Sequence, residues 1–165
     1  MITNPFNSQE PQRGFTLLIA IILSSVTLSV GLALADIAYK QVVLSSTAKQ
    51  SQTAFYHADS ALECALYYDQ KFAAFNQGSS FNLNSVQCEG RAIQNLQQST
   101  AGSILTTTFR VSCPTSGTSA EVSIYKATGS ATCGANGAKN CLYASGYNTC
   151  QAGPNRFERG LKVVY

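Results

Sequence analysis

The sequence predicts an α+β protein in which one long N-terminal helix packs on a small antiparallel sheet. Three observations lead to this fold class. Between Gly14 and Asp36 lie 21 residues without an ionisable side chain. Apolar residues then recur at helical spacing, with neither proline nor glycine between Gly31 and Gly78. Alternating, β-branched segments follow the helical region, so helix and strands are segregated along the chain.

The uncharged run predicts a transmembrane helix over residues 15–35. As a helix, 21 residues reach about 31 Å, enough to cross the hydrocarbon core of a bilayer. Residues 1–14 are polar, contain two prolines and show no periodicity. They are predicted to be a cytoplasmic leader that lies outside the fold.

The spacing of apolar residues over 36–75 predicts an amphipathic continuation of the same helix. One helix from Phe15 to about Phe75 would have roughly 60 residues and a length of about 90 Å. Its last part is denser in apolar side chains, so we expect it to pack under the following domain, with Phe72 and Phe75 in the core. His57 is expected to be a hydrogen-bonded residue near the surface and not a catalytic one.

Residues 76–165 are predicted to form a small β-sheet domain, the head, which is stapled by disulfides. Residues 76–103 are rich in Asn, Gln, Ser and Gly, which favours a loop with a short strand or turn. Alternating apolar and β-branched residues predict four strands that form an antiparallel meander, with Gly160 as a bulge. The predicted strands are residues 104–112, 121–127, 142–147 and 156–165.

Six cysteines, all after the apolar run, are candidates for disulfides. No pair has the C-x-x-C spacing and the chain has one His, so zinc and thioredoxin-like sites are disfavoured and no metal site is expected. An even number of cysteines in a small head favours three disulfides, although six cysteines permit 15 connectivities. Cys133 is expected to pair with Cys141 or Cys150 across a Gly-rich loop. The candidates are Cys64, Cys88, Cys113, Cys133, Cys141 and Cys150.

The sequence contains none of the residue patterns that are typical of common enzyme active sites. There is no Ser-His-Asp order with supporting context, no phosphate-binding glycine motif and no placed pair of carboxylates. We therefore expect neither enzymatic activity nor a cofactor. A formal charge of +3 with 12% charged residues requires no polyanionic partner. Arg156, Arg159 and Lys162 could line a basic face for nucleic acid, but solvent-facing side chains are the favoured interpretation.

The junction Arg13-Gly14 followed by Phe15-Thr16-Leu17-Leu18 resembles the processing site of type IV pilins and their secretion-system relatives. The resemblance implies that a prepilin peptidase cuts between Gly14 and Phe15 and methylates the new N-terminal Phe15. Residues 54–65, AFYHADSALECA, are similar to the segment A-F-Y-A-A-E-A-G-L-E-x-A of PilX-type minor pilins. The resemblance implies assembly with other pilins through the N-terminal helix, from the cytoplasmic membrane into a pilus, with the C-terminal domain outside.

The chain departs from major pilins at Ile19. Major pilins usually carry Glu at this fifth position of the mature chain, where it pairs with the N-terminal amine of a docked neighbour. An unpaired carboxylate in lipid is costly, so its absence removes the drive to seek that amine. The departure favours a minor or initiating subunit of a pilus or of a type II secretion-like filament.

Three other interpretations remain open. Ala33-Leu34-Ala35 before Asp36 satisfies the small-x-small rule of secretory signal cleavage, which would release a secreted binding protein. An uncleaved anchor would leave a membrane-tethered extracellular binding module with no filament role. The chain could also serve as an adhesive or DNA-binding pilin at a filament tip.

Overall fold

The computed structural model describes residues 13–114, 117–134 and 137–165, and it has the predicted α+β fold, with a long helix packed against a five-stranded antiparallel sheet. The helix α1 spans Arg13–Phe72, 60 residues. The chain forms two compact units, one up to Ser45 and one over Ser46–Tyr165, and α1 contributes to both. Most of the predicted leader, residues 1–12, lies outside the described residues.

The helix ends at Phe72, three residues before the predicted end. Ala73 adopts the left-handed conformation with φ 49°, and its N–H still donates to the carbonyl oxygen of Asp69 at 3.0 Å. A left-handed residue at this position is a common helix stop. Phe75 is fully buried as expected, but the prediction that Phe72 is a core residue was wrong. Phe72 is 44% exposed and stacks on Phe81, with ring centroids 5.2 Å apart.

The strands of the described residues are β1 Gln87–Cys88, β2 Arg91–Ala92, β3 Gln94–Ala101, β4 Ile104–Ser112, β5 Thr118–Ala127, β6 Asn140–Tyr147 and β7 Glu158–Val164. The main sheet is an antiparallel meander in the strand order β3-β4-β5-β6-β7. A separate pair of two-residue strands, β1 and β2, precedes it, after a short 3-10 turn over Leu83–Ser85. The four predicted strands correspond to β4 to β7.

Two details of the sheet differ from the sequence prediction. The structure has the strand β3 in a segment that was expected to be mostly loop. The sequence did not predict this strand because most of its side chains are polar, and its pairing with β4 depends on backbone hydrogen bonds. Gly160 pairs with Ser145 in unbroken register, so the predicted bulge at Gly160 was wrong. The register shifts lie elsewhere, between Gln94 and Gln97 and at Ser112.

The core of the second unit lies between α1 and one face of the sheet. Small residues on the helix, such as Ala58 and Ala65, are fully buried, and they allow close approach to the strands. The approach is closest at Gly146 on β6, where a Cβ would overlap the backbone of Ala54 and Ala58. The larger core side chains are Phe75, Phe109, Ile124, Leu142, Val86, Val111 and Val122.

The six cysteines form three disulfides, Cys64–Cys88, Cys113–Cys150 and Cys133–Cys141. Cys133 therefore pairs with the first of its two expected partners. The first bridge ties α1 to β1, and the second ties the end of β4 to the loop after β6. Disulfides persist in oxidising compartments, which indicates that this unit lies outside the cytoplasm.

Candidate processing and assembly segment

Arg13, Gly14 and Phe15 lie in the first turn of α1. Phe15 is 68% exposed, and a Cβ added at Gly14 would have no atom within 4 Å. Apart from the chain neighbours of Gly14 and the backbone of the helix itself, no described atom crowds the side-chain position of Gly14. Cleavage between Gly14 and Phe15 would leave a chain whose first residue begins the helix.

The apolar segment that follows is exposed on every side of the helix. None of its residues is buried, and α1 is the one helix among the described residues that is long and apolar enough to cross a membrane. A soluble protein rarely exposes so large a continuous apolar surface, so the segment needs an apolar surrounding. Its large side chains are 39% to 68% exposed and include Phe15, Leu17, Leu18, Ile19, Ile21, Ile22, Leu23, Val26, Leu28, Val30, Leu32 and Leu34.

The serine and threonine hydroxyls in the middle of the segment bond to the helix itself. Ser24 Oγ donates to the carbonyl oxygen of Ala20 at 2.7 Å, and Thr27 Oγ1 reaches the carbonyl oxygen of Leu23 at 3.0 Å. Ser25 and Ser29 make equivalent bonds at 2.8 Å. Because these groups are satisfied within the helix, they impose little cost in a surrounding without water.

Ile19 lies one helical turn after Phe15, where major pilins carry a carboxylate. No carboxylate occurs in α1 before Asp36, and that residue pairs with Lys40 at 2.7 Å on the exposed helix surface. The apolar segment therefore contains neither a charge to neutralise nor an acidic group that could hold a neighbour's amine.

The basic residues near the C-terminus do not form one face. Arg159 Nε donates to Ser51 Oγ on α1 at 2.7 Å, and Lys162 lies over the ring of Tyr143 on the opposite face of β7. Arg156 precedes the strand and stacks on the ring of Tyr147. Arg159 and Lys162 are exposed, as the favoured interpretation expected, and the pleat of β7 places them on opposite faces of the strand.

His57 behaves as an ordinary polar residue at the rim of the helix. Its Nδ1 lies 3.3 Å from Glu89 Oε1, and the other carboxylate oxygen of Glu89 is 3.9 Å from Arg91 Nη1. Among the described residues, no group of three His, Cys, Asp or Glu side chains is placed to hold a metal ion.

One buried polar cluster was missed at the level of sequence. Asp69 on α1 accepts hydrogen bonds from Lys126 on β5 and from the Tyr165 hydroxyl, both on Oδ2. Burial, the hydrogen bond to Asp69 and the negative charge of Asp69 raise the pKa of Tyr165 above its usual value. The helical spacing of Ala58, Leu62 and Asp69 on one apolar face was a signal that this carboxylate points inward.

Comparison with known protein families gives no match, and no curated protein or solved structure is significantly similar to the chain. What the chain shares with type IV pilins is architecture, a long N-terminal apolar helix packed on an antiparallel sheet.

Proposed function

We propose that the chain is a minor type IV pilin or pseudopilin that inserts in the cytoplasmic membrane and then joins a filament or its initiating tip. The observation that carries the proposal is the apolar segment of residues 15–35, which is exposed on all sides and satisfies its central hydroxyls internally. Such a segment is stable in lipid or among other apolar helices. Assembly would transfer the apolar segment from lipid to a bundle of apolar helices without exposing it to water.

Processing by a prepilin peptidase is the first step of this function. The polar leader ends at Gly14 and the apolar helix begins at Phe15 with no transition between them. The peptide bond between these residues would lie at the cytoplasmic end of the membrane segment. The mature subunit would begin with N-methylated Phe15.

Ile19 supports a minor or initiating position over a major one. A subunit at the tip of a filament has no preceding neighbour whose N-terminal amine must be neutralised. It can therefore carry an apolar residue at this position, which also lowers the cost of residence in lipid. The disulfide-stapled sheet would remain outside the membrane, available to contact partners.

The decisive experiment determines the N-terminus of the chain after co-expression with a prepilin peptidase. We expect mass spectrometry to find N-methylated Phe15 at the start of the mature protein. Gly14→Val should block cleavage and leave full-length protein in the membrane, absent from purified pili. Gly31→Ala is the matched control, because a Cβ at either glycine has no atom within 4 Å, and this variant should be cut normally.

The same measurement separates the competing functions. An intact Met1 in the presence of active peptidase would indicate a membrane-tethered extracellular binding module. A mature N-terminus at Asp36 would indicate a secreted protein released by signal cleavage after Ala35. Either result would refute the pilin proposal.

A further inference from the structure

The face of the sheet that points away from α1 carries an aromatic cleft at one end. Side chains alternate along a strand, and Ile124 and Leu142 belong to the buried face. Their neighbours Tyr125 on β5 and Tyr143 on β6 therefore lie on the outer face. The two rings meet edge to face, with centroids 5.5 Å apart and planes at 90°.

The described parts of the loop between β5 and β6, residues 128–134 and 137–139, form a wall over this end of the outer face. Cys141 is paired in register with Tyr125, and its disulfide to Cys133 holds the loop against the sheet. Backbone hydrogen bonds fix both ends of the loop. The Ala127 N–H donates to the Lys139 carbonyl oxygen at 2.8 Å, and the Thr128 N–H donates to the Ser103 carbonyl oxygen at 2.8 Å. The described residues of the wall are thus held by the disulfide and by these backbone hydrogen bonds.

Between the wall and the sheet lies a cleft of about 350 Å³, lined by Ile104, Tyr125, Thr132, Cys133 and Tyr143. No lining residue is charged. The hydroxyls of Tyr125, Tyr143 and Thr132 have no hydrogen-bond partner among the described residues, so polar groups stand available beside apolar ring surface. A preformed apolar site with a few free polar groups is typical of small-ligand binding.

We propose that this cleft binds an uncharged pyranose unit of a carbohydrate. A sugar ring has an apolar C–H surface that packs on aromatic rings, and hydroxyls around its edge that pair with tyrosine and threonine hydroxyls. The cleft lies at the small end of the volume range of ligand sites, which suits one ring of a longer glycan. Nucleic acid is disfavoured because phosphates require several cations, whereas no lining residue is charged and Lys162, whose Nζ lies 5.0 Å from the centroid of the Tyr143 ring, is a single cation.

The cleft is separate from the apolar segment that we propose for filament assembly, since the cleft lies wholly within residues 104–143 of the second unit. Binding at the cleft therefore does not depend on the proposed assembly function. It is tested with the full-length chain in phospholipid nanodiscs, because alkyl glycoside detergents would offer a competing sugar. An array of neutral hexose and N-acetylhexosamine oligosaccharides is the probe, and calorimetry then measures the affinity for the best of them. We expect at least one neutral pyranose oligosaccharide to bind.

Variants connect that binding to the cleft. Tyr143→Ala and Tyr125→Ala should each weaken binding at least tenfold. Tyr143→Phe, which keeps the ring and removes only the hydroxyl, should weaken it about threefold with the fold intact. Tyr67→Ala is the control, since Tyr67 is an exposed tyrosine on α1 that lies away from the cleft, and its affinity should equal that of the unaltered chain.

Three results would overturn the proposal. The first is no binding to any pyranose oligosaccharide by the folded chain. The second is binding that Tyr143→Phe and Tyr125→Ala leave at the level of the Tyr67→Ala control. The third is Tyr143-dependent binding of single-stranded DNA without binding of any neutral glycan.

Discussion

Asp69 on α1 and Lys126 on β5 form a buried ion pair across 57 residues of sequence. The side chains are 2% and 11% exposed, and Tyr165 donates to the same carboxylate oxygen. The pair fixes the last turn of the helix against the middle strand of the sheet. Asp69 Oδ1 has no hydrogen-bond partner among the described residues, so the carboxylate is only partly compensated for its loss of water.

Breaking the pair from one side should be costly. Asp69→Ala leaves the Lys126 ammonium buried without a partner, and we expect the free energy of unfolding to fall by roughly 3–5 kcal/mol. Lys126→Met should also destabilise the fold, because it leaves the buried carboxylate without a counter-ion and with only the Tyr165 hydroxyl as a donor. Denaturant titration followed by near-ultraviolet circular dichroism of the tyrosines measures both.

Two further variants show whether the loss of stability comes from leaving a buried charge without a partner or from removing an ion pair as such. Asp69→Leu combined with Lys126→Met and Tyr165→Phe should recover most of the loss, since this variant leaves no polar group of the cluster without a partner. Glu121→Ala removes the partner of Arg110 in an exposed pair at 3.2 Å and should cost less than about 1 kcal/mol. Equal losses from Asp69→Ala and Glu121→Ala would contradict the structural role given to the buried pair.

The free energy of unfolding should depend on pH in the alkaline range because of Tyr165. Burial, the hydrogen bond to Asp69 and the charge of Asp69 raise its pKa above the usual 10.0. The folded chain then holds the phenolic proton more tightly than the unfolded chain. The stabilisation is therefore complete below about pH 10 and is lost as the pH rises from there toward the raised pKa.

The variant Tyr165→Phe isolates this contribution. Every other titratable side chain is retained in both proteins, so the difference between the two stability curves belongs to Tyr165. The difference between the melting temperatures of the two proteins should stay constant from pH 8 to about pH 10 and should narrow from there to pH 11.5. A constant difference between the two proteins would show that the Tyr165 hydroxyl titrates alike in the folded and unfolded chains.

Gly146 is the position where the sheet approaches the helix most closely. A methyl group at 146 would overlap the Ala54 carbonyl oxygen and the Ala58 amide nitrogen, and backbone atoms cannot move aside independently. Gly146→Ala should therefore destabilise the second unit by about 1–3 kcal/mol or more. Gly160→Ala is the control on the paired strand β7. The nearest atom to its added methyl is the Ala144 carbonyl oxygen at an ordinary 3.9 Å, so little change is expected from close contact.

The sequence was most informative where side chains alternate between water and a core. β4 was predicted at its observed bounds because Leu105, Thr107, Phe109 and Val111 all face the core. β3 was missed because its residues, mostly polar and exposed, pair through the backbone and leave no hydrophobic period. The helix end at Phe72 was missed because an alanine, not a glycine, takes the left-handed position at residue 73.

The candidate segment was visible in the sequence because its signal is local. Gly14, Phe15 and Ile19 lie within one continuous stretch, and their spacing along α1 needs no knowledge of the fold. The Asp69–Lys126 pair and the cleft between Tyr125 and Tyr143 depend on strand order and register. Those are set by pairing between distant segments, which a single sequence does not specify.

The three disulfides should differ in their contribution to stability according to the chain that each one closes. In the chain-entropy model, Cys113–Cys150, with a separation of 37 residues, restricts the unfolded state by about 3.8 kcal/mol. Cys133–Cys141, with a separation of 8 residues, restricts it by about 2.5 kcal/mol. Paired serine substitutions at each bridge, followed by denaturant titration of the full-length chain, should therefore give a larger loss for the first. The reverse order would mean that Cys133–Cys141 acts mainly in the folded state, by holding its loop against Tyr125.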